Sequence, residues 1–178
     1  MAIKRRLPTL DLGPVDELIQ LRQEQHGGRP GAPLVALNGQ RVGQALNKSC
    51  ILLLSALLQG YVEDVFMDVS VKTFRGLRDE ATNNSYRQLL RRVGNPSAEN
   101  VTALFLRLGV SDIFDGLTWQ RTRAPQVRSK LNEINRLRND IAHGKRLPQA
   151  VTLAQVLRLR NFVEQFAERF ARHVRRKF

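Results

Sequence analysis

Apolar side chains recur along this chain at three- and four-residue intervals, the period of the α-helix, and no strand-like alternation of useful length interrupts them. Residues 14–25 carry Val15, Leu18, Ile19 and Arg22 on that spacing, with Pro14 suited to a first-turn position. Gly27-Gly28-Arg29-Pro30-Gly31-Ala32-Pro33 then forms a loop, because neither a helix nor a central strand tolerates it. The longest apolar signal covers 42–74, where Leu46, Cys50, Leu53, Leu57, Tyr61, Val65 and Val69 share one face. A second line through Leu54, Leu58, Val62 and Phe66 makes this helix apolar over more than half its surface, which places it at the centre of a bundle. Residues 77–93 predict a more polar helix stopped by Gly94-Asn95-Pro96, and Ser97 is suited to cap the next one over 98–108. Residues 113–119 form a short irregular piece expected to bury Phe114, Leu117 and Trp119. Pro125 opens a helix with a narrow stripe through Val127, Leu131, Ile134, Leu137 and Ile141. The last helix, over 151–174, turns Val156, Leu159, Val163, Phe166 and Phe170 inward and its arginines outward. The expected fold is an all-α helical bundle with a long central helix and a basic C-terminal helix. It divides into an N-terminal extension over 1–40, with a short helix and the Gly/Pro loop, and a helical domain over 41–178.

Charge adds a partner to this picture. With 29 Lys and Arg against 16 Asp and Glu, the chain carries a formal net charge of +13, which predicts a polyanion, most simply nucleic acid. The basic residues form no single juxtamembrane cluster, so a membrane is not the expected partner. The apolar run from 50 to 58 is too short to span a bilayer, and Pro8, Asp11 and Gly13 interrupt any secretory signal. A lone Cys50 forms no internal disulfide and fits a reducing cytoplasm, where it acts as a small buried hydrophobe. Three histidines and one cysteine give no metal-ligand cluster, and no phosphate-cradling loop or nucleophile elbow is present, so no metal or cofactor is expected. His26 lies beside the Gly/Pro loop and His173 in a basic tail, neither with an evident catalytic partner.

The chemistry concentrates in Arg138-Asn139-Asp140-Ile141-Ala142-His143-Gly144, at the end of the fifth predicted helix. Histidine can take a proton from a 2′-hydroxyl or give one to a leaving 5′-oxygen, while arginine forks onto phosphate oxygens as their charge develops. Gly144 is placed to end the helix. On an ideal helix five residues turn Arg138 and His143 roughly 140° apart, so the two do not share a face. Three remedies are open: the long arginine reaches round, the last turn unwinds at Gly144, or a second protomer completes the site. The plain alternative is a surface pair between Arg136 and Asp140, with His143 no more than a last-turn histidine.

Two further features surround the motif. Glu63, Asp64 and Asp68 form an acidic island on the most apolar helix, with no basic residue between Lys48 and Lys72. Such carboxylates need partners, either Arg138 and His143 or a structural arginine elsewhere. Between residues 119 and 148 the chain is at its most basic, and Lys130, Arg136, Lys145 and Arg146 are candidates to track an RNA backbone. Base stacking is limited to Trp119 or Tyr61 at most, and nothing indicates sequence-specific readout.

Asn47-Lys48-Ser49, Leu54-Ser55-Ala56 and Tyr61-Val62-Glu63-Asp64 on the long helix, with Leu104-Phe105 and Gly109-Val110-Ser111-Asp112-Ile113 in the middle, join the Arg138–His143 run in a combination that resembles the HEPN superfamily, in its RiboL-PSP and MAE-type prokaryotic branch. The resemblance covers roughly 42–178 and leaves the first forty residues unexplained. It implies a helical bundle that dimerises around its long helices and often acts as a metal-independent endoribonuclease, in many members a toxin or an anti-phage effector. Other members are non-catalytic RNA-, nucleotide- or partner-binding modules in defence or toxin–antitoxin systems. By this resemblance Arg138 and His143 occupy the catalytic positions of an Arg-x4-His motif, Asn139 and Asp140 are its internal polar residues, and Glu63 is a supporting acid. Gln59 departs from the pattern, since relatives often place an acid before the Gly-Tyr pair. The resulting expectation is a cytoplasmic homodimeric endoribonuclease that acts on RNA, with an antitoxin or defence-system protein as a further partner.

Overall fold

The long apolar helix organises the molecule. The structure, a computed structural model, describes residues 6–26, 34–35, 39, 41–90, 94–145 and 147–178, so the Gly/Pro loop lies outside the described residues. In chain order the elements are α1 (Gly13–His26), α2 (Gln44–Thr73), a 3-10 turn (Arg75–Arg78), α3 (Glu80–Leu90), α4 (Ala98–Leu106), α5 (Ala124–Ala142) and α6 (Leu153–Lys177). Among the described residues the only extended pairings are isolated bridges, Val35 with Arg41 and Trp119 with Thr122. The all-α expectation therefore holds.

Both apolar lines of α2 are used, though unequally. Leu54, Leu58, Val62 and Phe66 are buried, as are Cys50, Tyr61, Val65 and Val69 on the other line, whereas Leu53 and Leu57 are only partly covered. By length and composition α2 is apolar enough to cross a bilayer, more than the run from 50 to 58 suggests. Its apolar side chains are instead packed against α1, α5 and α6 as the core helix of the bundle. The short first helix joins that core through Val15 and Ile19, and Arg160 of α6 holds its Asp16 at 2.8 Å.

Around α2 the aromatic side chains interlock. Phe170 of α6 stacks on Phe166 with centroids 4.6 Å apart, meets Phe105 of α4 edge-on at 5.7 Å, and lies 6.1 Å from Phe114. Phe105 in turn meets Phe66 of α2 edge-on at 5.4 Å, so one cluster ties three helices and the 113–119 segment together. Phe114, Leu117 and Trp119 are buried as expected. Tyr61 fixes the α2–α6 contact differently: its hydroxyl donates to the Ala167 carbonyl at 2.6 Å and accepts from the Ala171 N–H at 3.2 Å. Burial pushes this phenol well above its ordinary range, against the smaller opposing effect of the Ala171 bond.

Three details depart from the sequence pattern. The single helix expected over 77–93 is broken, because the Asp79 carboxylate accepts from the Thr82 N–H at 2.8 Å and from its hydroxyl at 2.7 Å, and so starts α3 afresh after a 3-10 turn. His173 is not in a loose tail: α6 runs on to Lys177, and His173 is 5% exposed with Nε2 2.9 Å from the Ile113 carbonyl. Trp119 and Tyr61 are both buried, which removes them as base-stacking platforms. The helix starts follow the sequence more closely. Ser97 caps α4 by accepting from the Asn100 N–H at 3.1 Å, and Thr152 caps α6 by accepting from Gln155 at the same distance.

The pair α5 and α6 is clamped at Glu133. Its carboxylate accepts from Arg158 at 2.6 Å, from Lys130 at 2.9 Å and from Gln155 at 3.3 Å. Partial burial alone would raise this carboxyl, but the bonds from Arg158, Lys130 and Gln155 outweigh it and hold the group down at about 2. A carboxyl depressed in the folded state stabilises above its unfolded pKa and loses that contribution as pH falls towards the folded value. Thermal melts of the wild type are therefore expected to drop between about pH 4.5 and pH 2, and Glu133→Gln is expected to flatten that part of the profile while lowering stability at pH 7.

Candidate functional site

Helix α5 ends in a form its sequence dictates. Gly144 takes φ of 63°, a left-handed value that L side chains rarely adopt. The Gly144 N–H bonds the Ile141 carbonyl at 3.1 Å and the Lys145 N–H bonds the Asp140 carbonyl at 2.9 Å, the paired closure of a Schellman end. His143 is thereby the C-cap residue, exposed, with no hydrogen-bond partner for its imidazole among the described residues. The chain leaving this end is anchored from α2, where the buried Asn47 donates to the Val151 carbonyl at 2.8 Å.

Arg138, half-buried, donates from Nη1 to Asn139 Oδ1 at 3.1 Å. That same oxygen accepts from Asn95 Nδ2 at 2.9 Å. Asn95 belongs to the Gly94-Asn95-Pro96 turn, whose sequence signals only a helix stop. Here Asn100 holds its carbonyl at 2.8 Å, and Gly94 sits at φ of 87° beside the Asn100 amide, where a side chain would crowd. Asn132 of α5 further docks this turn by accepting from the Ala98 N–H at 2.8 Å. Asn95 is thus a motif-positioning residue that no sequence signal singles out, since its partner lies 44 residues away.

The surrounding charges are distributed as follows. Asp140 is held by Arg136 at 3.5 Å and by Lys145 at 3.6 Å, so the expected Arg136–Asp140 pair forms and Lys145 joins it. Lys130 is turned to Glu133 at 2.9 Å, and Arg146 lies outside the described residues. The acidic island does not serve Arg138 or His143 in the protomer. Asp64 pairs with Arg87 at 2.8 Å and Asp68 with Arg175 at 2.7 Å, because α3 and α6 bring those arginines to the exposed edge of α2. Glu63 accepts from Gln59 at 3.0 Å, so the amide that stands in place of an acid supports the remaining carboxylate. Glu63 and Asn95 both line one small hollow of about 20 Å³. No hydrogen bond joins Arg138 to His143 among the described residues, which accords with the angle between them on the helix.

Helices α5 and α6 pack on the long core helix α2, with the arginine-to-histidine run at the end of α5, in a domain that is all-α among the described residues. Residues 68–176 match the RiboL-PSP-HEPN family, and the chain belongs to it. The match holds the whole Arg138–His143 run and begins inside α2, beyond Glu63 and Asp64. Membership marks the chain as a ribonuclease-type or nucleotide-binding module. No curated protein and no solved structure matches it.

Proposed function

We propose that the protein is a metal-independent endoribonuclease that works as a cytoplasmic homodimer, as a toxin or an anti-phage effector. The observation that carries this reading is the end of α5, where an unpartnered, exposed His143 follows an Arg138 whose side chain is fixed through Asn139 and Asn95. His143 takes the proton of a 2′-hydroxyl, the freed oxygen attacks the adjacent phosphorus, and the P–O5′ bond breaks as the leaving oxygen gains a proton. The products then carry a 2′,3′-cyclic phosphate, which addition of water opens to a 3′-phosphate, and a 5′-hydroxyl. Arg138 stabilises the negative charge gathered on the phosphorane oxygens. These two residues supply the proton transfer and the charge, so the proposal invokes no metal. Asn139 and Asp140 are assigned to orient the pair, with Glu63 as the supporting acid and Arg136, Lys145 and Arg146 along the RNA, whereas Asp64 and Lys130 are engaged by Arg87 and Glu133 in the protomer.

A second protomer supplies what the helix angle withholds. Support comes from α2, whose exposed edge carries Ser49, Leu52, Ala56 and Gly60 at helical spacing, with Leu52 36% exposed and nothing within 4 Å of a side-chain position at Gly60. Gly60→Arg is expected to convert a dimer to a monomer in light scattering; a wild type that is already monomeric defeats the arrangement. The nuclease test is incubation of purified protein with varied RNAs in EDTA. Cleavage that persists and leaves cyclic phosphate ends is expected, and no cleavage, or cleavage abolished by the chelator, overturns the reading. The absence of an Arg138–His143 bond also favours a second reading, a non-catalytic RNA-, nucleotide- or partner-binding module in a defence or toxin–antitoxin assembly. Salt-sensitive RNA binding without any cleavage selects it.

A further inference from the structure

A cavity of about 460 Å³ opens beside the C-terminal part of α6. Arg169, Arg172, Arg175 and Arg176 line it, Leu7 and Leu117 give it an apolar side, and no carboxylate is among its lining residues in the described chain. The four arginines are not equivalent. Arg175 is a strut, bound to Asp68 at 2.7 Å and to the Arg6 carbonyl at 3.0 Å, so it fixes the N-terminal segment as one wall. Among the described residues Arg172 uses only its Nε, on the Glu168 carbonyl at 2.8 Å, and its terminal nitrogens make no hydrogen bond there. Arg176 has no ion pair among the described residues, and Arg169 has only the exposed Glu168 at 3.0 Å, with its guanidinium 5.9 Å from the Trp119 ring centre.

A neighbouring groove shows what distinguishes this cavity. It is larger, about 880 Å³, and also touches Arg172, but Asp11, Asp16, Glu164 and Glu168 line it as well. Its Arg160 is engaged by both Asp16 and Glu164, and its four carboxylates outnumber its two arginines, so that groove is acidic. The charged residues that line the smaller cavity are all arginines. His173, buried one residue from Arg172, is held below its ordinary range first by burial and then by the charges of Lys177 and Arg176, despite its bond to Ile113. Favourable interaction with the helix dipole accounts for cations in the last turn, Arg175 to Lys177, but not for Arg169 and Arg172 above it.

We propose that this arginine cavity binds the phosphodiester backbone of single-stranded RNA as an anchoring site separate from the Arg138–His143 run. Guanidinium forks suit phosphate oxygens, and the Leu7–Leu117 side offers an apolar surface to ribose and base faces. The cavity takes Leu117 and Thr118 from the segment ahead of α5, whereas His143 closes the other end of that helix, which spans about 28 Å at 1.5 Å per residue. The assignment extends the nuclease reading to substrate capture, but its test needs no cleavage.

The probe is a labelled 2′-O-methyl oligouridylate of about twenty nucleotides, which keeps the phosphates of a single strand and lacks the attacking hydroxyl. Arg172→Gln with Arg176→Gln in the full chain is expected to weaken binding about tenfold and to reduce the slope of log affinity against log salt by about 1. Lys48→Gln with Arg107→Gln, which removes the same charge elsewhere, is expected to change binding less than threefold. Unchanged affinity in the first double variant overturns the proposal, and so does an equal loss in the second. Loss of binding to phosphatidylserine vesicles with RNA binding intact also overturns it, and assigns the cavity to a membrane surface. Both target arginines are exposed, so melting temperatures are expected to match; if the double variant melts early, Arg176→Glu alone is read in the same assay. Wild-type protein that fails to cut ordinary RNA refutes the nuclease and leaves the anchor to its own binding result.

Discussion

His143→Ala is expected to lower the rate of RNA cleavage by about 10²–10⁴-fold, the usual contribution of a positioned general acid or base. Because the imidazole is exposed and bonds no neighbour among the described residues, its removal is expected to leave the melting temperature unchanged. Arg138→Ala is expected to cost about 10²–10³-fold through lost stabilisation of the phosphorane. Arg138→Lys is expected to recover little of it, since an ammonium lacks the planar fork that both Asn139 and phosphate engage. The two losses need not occur in the same chain. If the site is completed across a dimer, mixing the two inactive variants regenerates active sites and restores part of the activity. Full activity in His143→Ala excludes this chemistry outright. No recovery on mixing, with each variant dimeric, confines the pair to one chain and makes the helix end unwind or the arginine reach round.

Phe170→Ala is expected to be the most damaging single change to the fold. Phe170 is fully buried and touches Phe166, Phe105 and Phe114, so truncation removes the one ring shared by α4, α6 and the 113–119 segment. Burial of this kind is worth about 3–5 kcal/mol on truncation to alanine, since the surrounding rings relax only partly into the space. For a domain of this size that shifts the melting temperature by roughly 10 °C. Phe170→Leu keeps most of the volume and is expected to cost much less. A shift in Phe170→Ala below about 3 °C would show that the four rings do not pack as one cluster.

The sequence made the helices legible because their determinants are local. Of the α5 stripe, Val127, Leu131, Ile134 and Leu137 are buried and Ile141, at the helix end, is partly so, as the spacing leads one to expect. Ser97 caps α4, and Gly144 takes the left-handed conformation that closes α5, both readable from residue type and place. The exception is local too: Asp79 lies within the helix expected over 77–93, yet its carboxylate accepts from Thr82 and starts a new helix.

The Arg138–His143 run follows the same division. Its residues, its place at a helix end and the angle between its members come from the chain alone, because spacing and a closing glycine fix them. The choice of partners does not. Arg87 takes Asp64, Arg175 takes Asp68 and Glu133 takes Lys130, while Asn139 receives both Arg138 and a distant Asn95. In a chain with 29 basic and 16 acidic residues, any of these carboxylates has many eligible cations, and only the packing of α3, α5 and α6 on α2 selects among them. The same packing gathers four arginines of α6 with Leu7 and Leu117 into one cavity, although in sequence they are only a basic helix end. Periodicity is a property of neighbours along the chain and is written in it, whereas electrostatic pairing depends on distances across the fold and is decided when the helices meet.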